Sequence, residues 1–445
     1  MSKITILMYA LLIVTFIAYL IIKYKKRQYL ISPFNVGIYQ YFFCLIIIPI
    51  FFYDSNSWAR LGVNDASQYW SYLNQVFIIN AIGFIVMICS LTRYELKDNS
   101  YFISNVYKLG NKINDFWLDI FFWPTILGWY FIVFKYNHGI PLLNDGRTFY
   151  INSGISPVYI ALNAIVGMYG IYYGINIIYR KTDFIKWCIA LLTSLFTGNR
   201  STAIISILAP LIIIYLYRRK KLNYISKFNF KKLRKKTTRR IIISMFVLVL
   251  LGLYLQSIRN QQQGNFNNPV MELFYGNTFS DLRDGAFLLK GFREKFGNSF
   301  LFGKTIEAGL LSFIPSSMLS FKEQWLWGRF STTGLFGWIG HGGLRGGWSL
   351  EAYMNFGMCG VIIFSYFQGL ILGKLENSFY YIFITNNIKD NGKEYILLYL
   401  YSQFLNLFVC TAGLNSIYIE FFFMLVIMSL SSMVFVKSSK MQYKI

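Results

Sequence analysis

Runs of about 20 residues with almost no charge recur from one end of this chain to the other. A helix needs roughly that length to cross the ~30 Å hydrocarbon core of a bilayer. Backbone groups in lipid must be satisfied internally, so such runs are expected to be helical. We mark spans near 4–22, 36–53, 76–92, 116–135, 157–179, 184–198, 201–217, 241–257, 352–373, 395–411 and 417–436, about eleven in all. The 184–198 span is short. Composition agrees: 55% of the 445 residues are hydrophobic and only 14% are charged, against roughly a quarter in soluble domains. The expected fold is an all-α polytopic membrane protein with one long extracytoplasmic loop.

Lys and Arg set the orientation. The segment 218–240 carries Arg218, Arg219, Lys220, Lys221, Lys227, Lys231, Lys232, Arg234, Lys235, Lys236, Arg239 and Arg240 and no acid, so it is expected in the cytoplasm. Alternating sides from there places 23–35, 93–115, 180–183, 374–394 and 437–445 inside too, and these segments hold most of the 43 basic residues. The N-terminus is then outside and the C-terminus cytoplasmic. The formal charge of +24 becomes a topology signal and an anionic-lipid contact, not a nucleic-acid site. No cleavage site follows the first run; Lys23, Lys25, Lys26 and Arg27 do, so that run is expected to be retained.

Three parts follow: a transmembrane bundle of about eight helices over 1–257, an extracytoplasmic loop over 258–351, and a bundle of about three helices over 352–445. A loop above ninety residues usually has a function. Within it, Lys304–Phe313 and Gly334–Ile339 are too short to span and are expected to lie in the interface or re-enter. The five cysteines all sit in apolar runs without a CxxC pair, so neither disulfides nor zinc are expected. No HExxH, GxSxG or DxD pattern occurs, and no metal or other cofactor is expected.

Several arginines are outside by this topology: Arg147, Arg200, Arg259, Arg283, Arg293, Arg329 and Arg345. A planar guanidinium suits diphosphate oxygens. Arg200 lies in TGNRST between two spans, where a charge near the membrane is costly and usually purposeful. In GHGGLRGGWSLEAYMNFG, residues 340–357, His341 and Arg345 stand among glycines and Glu351 follows. Glu351 either complements its helix N-terminus or accepts a proton from a hydroxyl. Outer aromatics such as Trp58, Tyr69, Trp327, Trp338, Trp348 and Tyr353 suit an interfacial belt, or a platform for sugar rings.

Four segments, in order, resemble the oligosaccharide repeat unit polymerases, the Wzy-type family of O-antigen and capsular polysaccharide assembly: GIPLLNDGRTFY, TGNRST, LFGKTIEAGLLSFIPSSMLSFKEQW and GGWSLEAYMNFGMCGV. The resemblance implies a GT-C-like fold and a metal-independent inverting glycosyltransferase in the bacterial inner membrane. Its substrates would be undecaprenyl-diphosphate-linked oligosaccharides, with membrane lipid, a chain-length regulator and a flippase as further partners. It assigns Arg200 and Arg259 to the diphosphate and Arg147, Arg329 and Arg345 to further anion contacts. Glu351, or else His341, would orient or deprotonate the acceptor hydroxyl, and Tyr353 would meet sugar. An O-antigen-ligase-like transferase, a transporter of lipid-linked oligosaccharides and a membrane O-acyltransferase are the competing readings.

Overall fold

The computed structural model describes residues 3–25, 33–46, 53, 58, 61–63, 65–93, 115–142, 155–177, 180–197, 206, 207, 211, 281–311, 314, 318–338 and 343–385. The expected spans at 241–257, 395–411 and 417–436, nearly all of 201–217, and the basic segment 218–240 lie outside the described residues. Among the described residues all regular structure is helical. We label the helices α1 (Lys3–Lys25), α2 (Pro33–Ile46), α3 (Trp70–Arg93), α4 (Asp115–Asn137), α5 (Ser156–Asn176), α6 (Asp183–Phe196), α7 (Asp281–Phe296), α8 (Lys304–Leu310), α9 (Ser320–Trp325) and α10 (Trp348–Thr385). Five segments are long and apolar enough to cross a membrane: Lys3–Lys23, Ser67–Arg93, Leu118–Asn137, Val158–Asn176 and Trp348–Lys374. Helix α6 has 14 residues, or about 21 Å, too short to span alone.

The side chains are arranged for lipid. On α1, Ile4, Leu7, Leu11, Val14, Ile17 and Ile21 are exposed, while Thr5 and Tyr19 turn inward to donate to the Oδ1 atoms of Asn74 and Asn35 at 3.0 and 2.6 Å. On α4, Phe116, Ile120, Trp123, Leu127, Phe131 and Phe134 make a similar exposed stripe. Steps of three and four residues place each set on one helix face. Large apolar stripes turned outward, with polar groups paired inside, suit a protein whose solvent is hydrocarbon.

The chain divides into two units. Residues 1–98, 270–377 and 402–418 form the first. In it α1 runs parallel to α3: Thr5 meets Asn74, and the rings of Tyr9 and Phe77 stack at 4.2 Å. The later part of α10 is also parallel to α3. Gly83 faces Ser365, and seven residues on Ser90 Oγ donates to the Tyr366 carbonyl at 2.8 Å and lies against Gly369. The C-terminal end of α1 meets α10 in an ion pair between Lys23 and Glu376, each only 3% exposed. Arg93 ends α3 and Lys374 ends the apolar stretch of α10, so this level of the unit carries a basic face.

Helix α10 is not straight. Gly357 has φ 65° and ψ −155°, and the backbone reverses there. The rings of Trp348 and Phe364 meet edge to face at 5.6 Å, and a Cβ on Gly360 would lie 2.7 Å from the Ala352 carbonyl oxygen. Residues 16 apart in a straight helix would be about 24 Å apart. The two arms, 348–356 and 358–385, are therefore an antiparallel helical hairpin. Ser349 and Ser365 both reach Gly83. The run expected as one span over 352–373 thus contains a turn, and the second arm carries the spanning length.

Depth follows from helix rise. Gly83 precedes Arg93 by ten residues and Ser365 precedes Lys374 by nine, so Gly83, Ser349 and Ser365 lie ~14 Å from the basic face. That is close to the middle of a ~30 Å core. Helix α7 runs antiparallel to α3, since Gly285 meets Val76 and Lys290 Nζ donates to Gln68 Oε1 at 2.6 Å. Its first residues are consequently its deepest. Of the two short stretches expected to lie in the interface or re-enter, Lys304–Phe313 carries α8, and Gly334 of the other, Gly334–Ile339, closes the turn Phe330–Gly334.

The second unit comprises residues 99–269, 378–401 and 419–445. Helices α4 and α5 are antiparallel. Trp129 Nε1 donates to Asn163 Oδ1 at 2.6 Å, and Tyr173 donates to Asp119 Oδ1 at 2.7 Å. Lys186, at the start of α6, donates to the same Asp119 oxygen at 2.8 Å. Pro124 interrupts the α4 hydrogen bonds, and Thr125 Oγ1 supplies one to the Phe121 carbonyl.

Two outcomes check this packing. A Cβ at Gly369 would collide with the Met87 backbone, so Gly369→Val should cost about 2 kcal/mol. Gly128, with open space around it, should accept valine without a change in thermal unfolding in micelles. Lys23→Met alone should cost about 3 kcal/mol or more by removing the cation against which Glu376 is buried; adding Glu376→Leu should recover most of that midpoint.

Candidate functional site

The first arm of α10 begins where Gly347 lets the chain enter beside α3. Gly347 has φ 77°, and a Cβ there would meet Asn80 Oδ1 at 2.8 Å. Asn80 Oδ1 also accepts from Tyr41 Oη at 2.5 Å, while its amide donates to the Val76 carbonyl. Ahead of this point the irregular segment 343–347 rests on a π-helical turn, Phe330–Gly334. Trp327 Nε1 donates to the Leu344 carbonyl at 3.1 Å, and Leu344 N–H donates to Ser331 Oγ at 3.0 Å. Irregular backbone inside a helical membrane protein is tolerated when protein groups satisfy it in this way.

Glu351 sits in the first turn of α10 and is 0% exposed. Burial so complete makes it a group held inside the fold rather than one at its mouth. Asn355, one turn on, donates to Thr305 Oγ1 at 2.7 Å and to the Glu351 carbonyl at 2.8 Å. Its buried Oδ1 has no hydrogen-bond partner. The C-terminal carbonyls of this arm are capped by the loop: Leu301 and Phe302 N–H donate to Met354 and Asn355 at 3.0 Å each. Tyr353 is half-buried, and its hydroxyl accepts from Arg293 at 3.3 Å.

The start of α7 faces the same segment. Gly285 packs on Leu350 and on the backbone of Gly346. Beside it, Arg283 is wholly buried, and its Nε and Nη2 donate to Asp284 Oδ1 at 3.2 and 3.0 Å. Asp281 is half-buried as a residue, but its Oδ1 is shielded and has no hydrogen-bond partner. Burial pushes its carboxyl up to about 6; the Arg345 guanidinium opposes this, the Asp284 charge adds to it, and Arg283 opposes it again. Arg345 itself is exposed. The unit thus gathers three carboxylates and two guanidiniums near Gly346–Glu351, with one exposed cation beside one partly exposed carboxylate. Such a pair can hold an anion and accept a proton at neutral pH.

The expected site residues fare differently. Arg345, Glu351 and Tyr353 lie on one stretch of chain in this unit. Arg329 is exposed and ion-paired with Glu323. Arg147, Arg200, Arg259 and His341 lie outside the described residues. Several expected belt aromatics are internal instead. Trp58, Tyr69, Trp327 and Trp348 are buried, and Trp58, Tyr69, Phe287 and Trp338 stack in succession at 5.0, 5.6 and 5.5 Å. Asp281 and Asp284 are the functional candidates that residue patterns missed. The available signal was a pair of acids three residues apart opening a helix within a basic loop. Among the described residues no group of three or more His, Cys, Asp or Glu side chains could hold a metal ion.

Comparison with protein-family models, curated proteins and solved structures finds no match to this chain.

The raised Asp281 carboxyl has a sign that can be tested. Its folded form binds a proton more tightly than the unfolded chain does, so stability should fall as pH rises from about 4 to about 6 and then level off. Asp281→Asn should flatten that part of the curve, measured as unfolding midpoint against pH in micelles.

Proposed function

We propose that this protein is a membrane glycosyltransferase that polymerises undecaprenyl-diphosphate-linked oligosaccharide repeat units on the outer face of a bacterial inner membrane. The observation that supports this best is the exposed Arg345 beside Asp281, on a re-entrant segment that also carries the buried Glu351. A lipid diphosphate presents its charge close to the membrane and needs a cation, not a nucleotide site. Arg345 would bind the donor diphosphate and stabilise it as it leaves. A hydroxyl of the acceptor unit attacks the anomeric carbon. The new C–O bond forms as the bond from that carbon to the phosphate oxygen breaks, and undecaprenyl diphosphate departs with the electron pair. The hydroxyl proton passes to the Asp281 carboxylate. Glu351 orients the segment that presents Arg345, which modifies its expected part as the base. Tyr353, placed by Arg293, is the aromatic nearest this segment for a sugar face.

A second reading is a transporter of lipid-linked oligosaccharides. It draws on the interrupted helix at Gly357, since transporters often build midplane sites from broken helices. Chemistry separates the two. Reconstituted with undecaprenyl-diphosphate-linked repeat units, a polymerase yields a ladder of longer saccharides and releases undecaprenyl diphosphate, whereas a transporter leaves the lipid-linked unit intact. A ligase-like enzyme would need a different acceptor before any transfer occurs. With wild type active, Arg345→Ala and Asp281→Asn should each lower ladder formation by about 10²-fold or more. Undiminished ladders in both variants would overturn these assignments.

A further inference from the structure

The hairpin turn of α10 carries an exposed apolar patch, one ring of which, Phe300, also meets Tyr353 edge to face. Phe302 is 76% exposed, with a left-handed φ of 50° that few phenylalanines adopt. Phe300 and Phe356 beside it are also exposed. The patch is fixed rather than loose. Leu301 and Phe302 N–H groups cap the end of the first arm of α10, Gly303 packs on the Phe356 ring, and Phe300 packs on Gly357. Strained backbone held by several contacts, with its aromatic turned outward, suggests a surface with a purpose.

Its position identifies what covers it. The exposed face of the second arm runs through Ile362, Ile363, Phe367 and Ile371, the stripe that faces hydrocarbon. Phe356 continues that stripe at its upper end. Counting from Lys374 back to the reversal at Gly357, next to Phe356, the second arm runs 17 residues, about 26 Å by helix rise. This is close to the ~30 Å thickness of the core. The patch therefore stands at the membrane boundary opposite the basic face.

We propose that the loop segment 300–303, with Phe356, inserts into the bilayer and anchors the turn of α10 in the interface. The partner is lipid. Lys304 and Glu307 are both exposed on the adjoining turn, so their charges offset and insertion is driven by apolar burial, without a need for anionic headgroups. The inference does not depend on the proposed enzymatic activity.

Site-directed spin labelling tests it. The full chain, with its five cysteines replaced by alanine, is labelled at Phe302→Cys and reconstituted in phosphatidylcholine vesicles. Ile363→Cys on the spanning arm is the lipid reference, and Glu294→Cys, exposed on the far end of α7, is the aqueous one. Phe300→Cys gives a second position should the first variant fail to fold. The expected result is greater relaxation by oxygen than by a water-soluble nickel chelate at Phe302, as at Ile363, unchanged when phosphatidylglycerol is added. Greater relaxation by nickel, as at Glu294, overturns the proposal. Protection from both reagents also overturns it, by showing that protein, such as a second copy of this chain, covers the patch.

Discussion

Much of the first unit depends on one close contact. Gly83, midway along α3, has no side chain, and two serines from different arms of α10 fill the space a Cβ would take. That vacancy lets the first arm lie between α3 and the second arm. Any larger residue would push the arms apart and lift the segment 343–351 away from Asn80. A few ångströms at Gly83 therefore decide whether Glu351 and Arg345 belong to an organised site. Gly369 does the same further down, where Ser90 and the Met87 backbone close in. Without water to expel, such close approach of backbones is a main source of helix association in lipid.

Polar groups are handled by the same economy. A helix that ends inside a protein leaves carbonyls that must find donors. The first arm ends at Gly357, and the loop supplies two N–H groups to its last turn. The irregular chain before it is tied to the π-helical turn by an indole and a serine. Buried charges are likewise held: Lys23 by Glu376, and Arg283 by Asp284. In the second unit, Asp119 takes both Tyr173 and Lys186. The shielded Oδ1 atoms of Asp281 and Asn355, by contrast, have no hydrogen-bond partner.

The long loop consequently changes character. Residue patterns treat it as a covering piece outside the membrane, with aromatics along the interface. Its described residues pack against the other helices of the first unit. The polar helix α7 runs antiparallel to α3, and stacked rings from Trp58 to Trp338 join the loop to the residues before α3. Charge is concentrated at the start of α7, at Asp281, Arg283 and Asp284.

Five helical segments with the length and apolarity of spans follow from hydropathy alone, and so does the shortness of α6. Each is a local property: twenty apolar residues must form a helix in lipid whatever surrounds them. The outward stripes of α1 and α4 are also written in spacing, because a period near 3.6 fixes a face. Arg345, Glu351 and Tyr353 were visible because a glycine-rich run with charges is conspicuous in an apolar chain. The reversal at Gly357 was not, since hydropathy sums residue character and carries no direction; MNFGMC reads as continuous helix until the arms are seen to pack. Nor could residue patterns bring Asp281 to Arg345 across 64 positions of chain, or show that Glu351 is sealed in rather than open. Those depend on which faces meet at Gly83, Gly285 and Gly347, and contact between distant segments is decided only when the whole unit packs.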